Sequence, residues 1–189
     1  MELEDLIINH ELRERPSRAP EPALDELVTK TLAAEIPNGA PAIVSAACAF
    51  ALDFCGAESA AISLSPGEDS GEPRSWAAVA GRMKHHLGGV EETADAGSAI
   101  GLHAREPLLL REPDRHFAWM RVPGLQVMEA LVTPIYDLHR NPRGSIWVLR
   151  HGPGHLFDDE DVRLLVMLAL RATAALEFRR RLDSEQRLH

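Results

Sequence analysis

Residues 157–189 read FDDEDVRLLVMLALRATAALEFRRRLDSEQRLH, and their pattern predicts one long helix. Asp158 is placed to cap the first free amides, Asp161 stands where a capping box puts its acid, and Phe157 can staple onto Val162. Arg179, Arg180 and Arg181 lie toward the far end, so the charges at both ends favour the helix dipole. Two apolar stripes run along this helix. Val162, Leu165, Ala169, Ala172 and Leu176 form one, and Leu164, Leu168, Ala175, Phe178 and Leu182 form a second, rotated by about 120°. One stripe suits a sheet of the same domain. The second, spaced like a coiled-coil seam, suits another helix, from this chain or from a partner; the alternative is a helix covered on both sides by its own fold.

Composition narrows what such a helix serves. A chain of 189 residues suits one domain with flanking segments, large enough to bury a real core. The net charge of −9 repels a phosphate backbone, so nucleic acid is not an expected partner. No apolar run is long and charge-free enough to span a bilayer, and the acidic start Met1-Glu2-Leu3-Glu4-Asp5 is unlike a secretion signal, which places the chain in the cytoplasm. Cys48 and Cys55 stand seven residues apart on a predicted helix, about 10 Å along its axis, too far for a disulfide between them.

Upstream of the closing helix the order of elements is helix, helix, strand, strand, irregular insert, strand, strand, strand. Residues 1–20 read as a short amphipathic arm and an extended linker, Arg15-Pro16-Ser17-Arg18-Ala19-Pro20. The arm either packs on a partner or is disordered. Leu24, Leu27, Val28, Leu32 and Ile36 mark a first helix stopped by Pro37-Asn38-Gly39, and Pro41 opens a second that runs to Gly56. Strands are expected over 59–64, 75–80, 107–110, 129–136 and 144–151. Pro134 cannot donate to a ladder and belongs at a bulge or an unpaired edge. Residues 81–102 and 112–124 lack sustained periodicity and read as loops with short helices. Strands joined by short turns, with helices at both ends of the chain, give an α+β fold: an antiparallel sheet whose helices share one face.

Within that frame, Cys55-Gly56-Ala57-Glu58-Ser59-Ala60-Ala61-Ile62-Ser63-Leu64, Trp76-Ala77-Ala78-Val79-Ala80-Gly81, Gly88-Gly89, Ala130-Leu131-Val132-Thr133-Pro134-Ile135-Tyr136, Gly144-Ser145-Ile146-Trp147-Val148-Leu149 and Phe157-Asp158-Asp159-Glu160-Asp161 together resemble a GAF domain. The likeness is closest to the GAF domains that precede PAS and histidine-kinase modules in bacterial sensor proteins, down to the Arg15-Pro16-Ser17-Arg18 lead-in. It implies a six-stranded antiparallel sheet with the N- and C-terminal helices on one face and the insert on the other, any ligand lying between sheet and insert. Residues 1–20 are then an arm, 21–178 the domain, and 179–189 an extension of the last helix. In those relatives the insert often carries Ser-Pro-Cys-Gly. Here the corresponding stretch is Gly97-Ser98-Ala99-Ile100, without a cysteine.

The residue types favour binding over catalysis. Nine histidines carry no metal-ligand spacing, and no phosphate loop or nucleophile elbow occurs, so no metal or cofactor is expected. Neither cysteine has a histidine neighbour, and on a GAF scaffold both fall on the face opposite the pocket, which removes a covalent tetrapyrrole and the thiol chemistry of methionine sulfoxide reduction. Trp76, Arg82, His85, Ser98, His103, Phe117, Trp119 and Tyr136, with Met120 and Trp147, supply aromatic walls and a few polar heads for a small-molecule pocket; the same aromatics would equally fill a core beneath the insert. Alternation leaves open which of Ile146 and Trp147 faces the insert. The expected function is a non-enzymatic sensory or regulatory module, a homodimer through Leu164, Leu168, Ala175, Phe178 and Leu182, relaying a signal to a histidine kinase or another signalling protein. A dimerisation or docking module without a ligand is the alternative, and a small-molecule enzyme on the same scaffold ranks below both.

Overall fold

The computed structural model describes residues 2–65, 75–86 and 105–188. Its helices are α1 (Asn9–Glu14), α2 (Ala23–Glu35), α3 (Ala40–Phe54) and α4 (Asp159–Arg187). Its strands are β1 (Ser59–Leu64), β2 (Ser75–Gly81), β3 (Leu108–Arg111), β4 (Glu129–Tyr136) and β5 (Pro142–Arg150), all paired antiparallel in the order β2-β1-β5-β4-β3. Among the described residues the sheet therefore has five strands, and the sixth strand that the GAF likeness implies is not among them. Gly39 and Gly56 take positive φ at the two helix ends where the sequence called for breaks. Gly81 is fixed for two reasons: its φ is +78°, and a Cβ there would lie 2.2 Å from the Glu58 carbonyl oxygen.

Strand alternation divides the core between the two faces. Ile62, Leu131, Ile146 and Val148 point toward α2, α3 and α4, where they meet Val28, Leu32, Val44, Ala47, Leu165 and Leu168. Ala61, Val132, Trp147 and Leu149 point the other way, onto Met83, Phe117, Met120 and Val127 of the connecting segments. Trp147, not Ile146, thus faces the insert. Pro134 pairs across to Ser145 of β5, while β3 covers β4 only from Glu129 to Val132, so the proline sits beyond the covered part of its outer edge.

The N-terminal arm closes the sheet's free edge. The Ile8 amide donates to the Leu109 carbonyl at 2.9 Å, and Asn9 brackets β3, accepting from the Leu109 amide at 2.7 Å and donating to the Pro107 carbonyl at 3.0 Å. Leu6 packs on the insert side and Ile8 and Leu12 on the helix side, so the arm wraps around the edge and removes an open template for pairing.

Two arginines then carry the linker to the start of α4. Arg15 forms a fork on Glu129, both contacts at 2.9 Å, and also donates to the Phe157 carbonyl at 2.8 Å. Glu129 accepts the Phe157 amide as well, at 3.1 Å. Arg18 donates through its amide and Nε to Asp158 at 3.0 and 3.2 Å, through its guanidinium to Asp161, and to the Phe54 carbonyl at 3.1 Å. Asp158 and Asp161 also complete the expected capping box: the Asp161 amide donates to Asp158 at 3.0 Å and the Asp158 amide to Asp161 at 2.9 Å.

Glu129 is only 3 % exposed, so removing Arg15 leaves a carboxylate without its main counter-charge. We expect Arg15→Met to cost about 3 kcal/mol of unfolding free energy in urea titration. In the double variant with Glu129→Gln the loss should be smaller than the sum of the two single losses, by about 2 kcal/mol. Strict additivity would show that the pair is not coupled.

Candidate functional site

On the insert side, the short turns at 113–115 and 118–120 lay Phe117, Trp119 and Met120 over the sheet. All three tryptophans of the chain meet there. Trp119 lies 4.7 Å from Trp76 and 5.4 Å from Trp147 between ring centroids, and Phe117 stands edge-on to Trp147 at 5.8 Å. The Trp147 indole N–H donates to Ser145 Oγ at 2.9 Å. That of Trp119 is buried with no hydrogen-bond partner among the described residues. Such an orphan donor is costly in a well-packed interior.

The other expected pocket residues disperse. Arg82 is exposed and pairs with Glu58 at 3.1 Å, and His85 is exposed on the turn after β2. Tyr136 lies at the far end of β4, in a groove beside α4 described below. Ser98 and His103 lie outside the described residues. Cys48 and Cys55 are free thiols within the helix-side core, on the opposite face of the sheet from the aromatic cluster. Burial pushes the Cys48 thiol up to about 12 and the Cys55 thiol well above its ordinary range, so both stay protonated and unreactive.

A buried polar chain links the insert to the sheet, and nothing in the sequence reading marked it. His151, just past the end of β5, places Nδ1 2.9 Å from the Gln126 carbonyl and Nε2 2.7 Å from Ser59 Oγ, which accepts the Met83 amide at 3.0 Å. A carbonyl can only accept, so Nδ1 carries the proton and Nε2 accepts from the Ser59 hydroxyl. Burial pulls the His151 pKa below 6.5, overcoming the Gln126 carbonyl and the Glu58 charge, which favour protonation. Glu58 clamps the same corner by accepting the amides of His151 and Gly152 at 2.6 and 2.9 Å. Burial alone would raise its carboxyl, but those two amides and Arg82 hold it below the usual carboxylate range. The available signals were polar residues bounding apolar strands, Ser59 at the start of β1 and His151 beyond β5.

At the start of α4, His155, Asp158 and Asp161 bring their ligand atoms within 4.8 Å of one another. Every carboxylate oxygen there already accepts from Arg18, from His155 or from a capping amide, so a cation would have to displace Arg18. Of the residues expected to carry a dimer seam, Leu164, Leu168 and Ala175 are buried within the chain. Leu164 and Leu168 lie beside Val28 of α2 and Phe50 of α3. Leu182 is half-buried, and Phe178 is 55 % exposed. Among the described residues no helix is long and apolar enough to cross a membrane.

Comparison with known proteins places this architecture. The GAF domain family model matches residues 40–176. Among solved structures, the GAF domain of a protein assigned as a sensor histidine kinase from Pseudomonas syringae pv. tomato is 19 % identical, with 88 % of this chain and 94 % of that one aligned and a TM-score of 0.59. The free methionine-R-sulfoxide reductase of Neisseria meningitidis, solved with its substrate, is 16 % identical over 88 % of this chain and 96 % of that one, with a TM-score of 0.62. A phycocyanobilin-bound GAF domain from a cyanobacterial phytochrome is 13 % identical over 84 % and 95 %, with a TM-score of 0.61. No curated protein sequence gives a significant match. At these identities the neighbours establish the fold, and their differing chemistries show that the fold alone does not choose a ligand. With the family model running from the start of α3 through all five strands and into α4, the chain belongs to the GAF domain family.

Proposed function

We propose that this chain is a non-enzymatic sensory GAF module that binds a small molecule against the aromatic cluster and relays occupancy through its terminal helices. The observation that carries the reading is the indole N–H of Trp119, without a partner among the described residues and held among Trp76, Phe117 and Trp147. A flat, polarisable wall with one free donor suits a planar ligand bearing an acceptor. The thiols that reductive or covalent chemistry would need lie in the other half of the core. A shift of the 113–126 segment would reach the sheet through Gln126 and His151, and His151 directly precedes the loop that feeds α4. A ligand biases this path only if it binds one arrangement better than the other.

Docking or dimerisation without a ligand is the second reading, favoured by the exposed Phe178 ring on the last helix. The partner would be a second copy or a signalling protein such as a histidine kinase, the class to which one structural neighbour is assigned.

Because all three tryptophans sit in the cluster, tryptophan emission excited at wavelengths where tyrosine does not absorb reports that site alone. A panel of cyclic nucleotides (cAMP, cGMP) and small heteroaromatic metabolites should contain a compound that shifts the emission and raises the apparent stability, by about 2.7 kcal/mol at a hundredfold excess over Kd. Trp119→Phe should weaken that compound about fivefold, the loss of one hydrogen bond. No emission change with any compound would leave docking as the function. For docking, Phe178→Glu should shift sedimentation equilibrium from dimer to monomer, and a wild-type monomer at high micromolar concentration would oppose it.

His151 also gives the domain a pH dependence. The unfolded chain binds a proton near pH 6.5 and the folded one only below that, so stability is full above pH 6.5 and falls as the pH drops toward the folded value. His151→Gln should flatten the decline in melting temperature between pH 7 and 5, whatever its effect at pH 7. An unchanged slope would mean that another group titrates.

A further inference from the structure

A second recess lies against α4, where β4 runs on past the end of β3. The outer edge of Thr133–Tyr136, α4, Pro107 and the turn after β4 enclose a groove of about 460 Å³, within the range of small-molecule sites. Its walls are apolar: Pro134 from the strand, Leu138 from the turn, Val166, Ala169 and Leu170 from α4. Leu138, Val166 and Leu170 are 57, 37 and 67 % exposed, an unusual concentration of bare aliphatic surface.

Three polar features are set into this apolar lining. Thr133 is 2 % exposed, and its hydroxyl has no hydrogen-bond partner among the described residues. Arg105 and Arg140 stand at the rim, neither in an ion pair with a described residue, although the protein as a whole carries a net charge of −9. Both have left-handed backbone, φ +53° and +66°, and they are two of the three non-glycine residues so placed among the described ones. The rim's own acid, Asp137, is already committed. Burial would raise its carboxyl, but the Asn141 amide and side chain, the His139 amide and Arg143 outweigh that and bring it down to about 2. Thr173 adds no free donor, since its hydroxyl bonds the Tyr136 carbonyl at 3.0 Å. Glu106, next to Arg105 in sequence, does not line the groove.

From this arrangement we infer that the groove binds an amphipathic carboxylate, its aliphatic chain along Val166, Leu170 and Leu138 and its head group between Arg105 and Arg140. The Thr133 hydroxyl donates to the ligand from within the groove. A neutral alcohol of the same length would fill the walls without using the arginines, and an amine would be repelled by them.

Isothermal titration of the full chain with octanoate, 1-octanol and octylamine tests this. Octanoate should bind with one site per chain, at least about fivefold more tightly than either analogue. Arg105→Gln and Arg140→Gln should each weaken octanoate about fivefold and leave octanol unchanged. Thr133→Val removes the free hydroxyl without changing volume much, so it should fold at least as well as wild type and bind octanoate more weakly. Because the groove is lined by Tyr136 but by no tryptophan, selectively excited tryptophan emission should not respond, which separates this site from the aromatic one whether or not a ligand for that site is found. Absence of octanoate binding, equal affinity for octanol, or affinity unchanged in both arginine variants would overturn the inference.

Discussion

Two guanidiniums and three buried carboxylates meet where α4 leaves the sheet, and the rest of the structure depends on that meeting. Glu129, Asp158 and Asp161 are each 3 % exposed or less, and in such a place a carboxylate is tolerable only with its charge balanced and its oxygens occupied. Arg15 and Arg18, both from the linker, supply most of the balance, with Arg150 3.9 Å from Glu129 and His155 2.8 Å from Asp161 beside them. The linker is thereby fixed in place. Once fixed, it lays the preceding arm along β3 and closes the sheet edge, while Asp158 and Asp161 pin the first turn of the helix that spans the domain.

That junction also sets what the two faces of the sheet can do. The helix face is filled by α2, α3 and α4, including the two thiols and most of the second stripe of α4. The insert face gathers every tryptophan in the chain and leaves one indole donor without a partner among the described residues. Between them, the Gln126–His151–Ser59 chain ties the insert to β1 and β5 a few residues upstream of the charge cluster. One corner of the molecule therefore holds the insert, the strand ends and the start of α4 in mutual contact.

Much of this fold was legible in the sequence because local signals agreed with the tertiary outcome. The capping box at Asp158 and Asp161, the break at Gly56, and strands 59–64 and 129–136 lie where periodicity and turn chemistry put them. The arm was less legible. Its few apolar residues looked equally fit for a partner or for disorder, because the edge it covers is 100 residues away in sequence and Arg15 and Arg18 reveal nothing of their partners. The second stripe of α4 predicted a helical neighbour, and two helices of the same chain fill most of it. Of the expected pocket residues, the ring-bearing Trp76, Phe117 and Trp119 converge because they share one face of the sheet and its covering segment. Arg82, His85 and Tyr136 do not join them, since residue type indicates what a side chain can bind and carries no information about where the chain turns.

The dependence of arm and helix on one charge cluster is tested most directly by native-state hydrogen exchange of Arg18→Ala. The amides to follow are Ile8 and Leu109 at the sheet edge and Asp161 and Val162 in the first turn of α4. Joint loss of protection at both places, with the β1 and β5 amides unaffected, is the expected result. Full protection of the Ile8 and Leu109 amides while only the helix start opens would contradict it, showing that the arm holds to the edge without the junction.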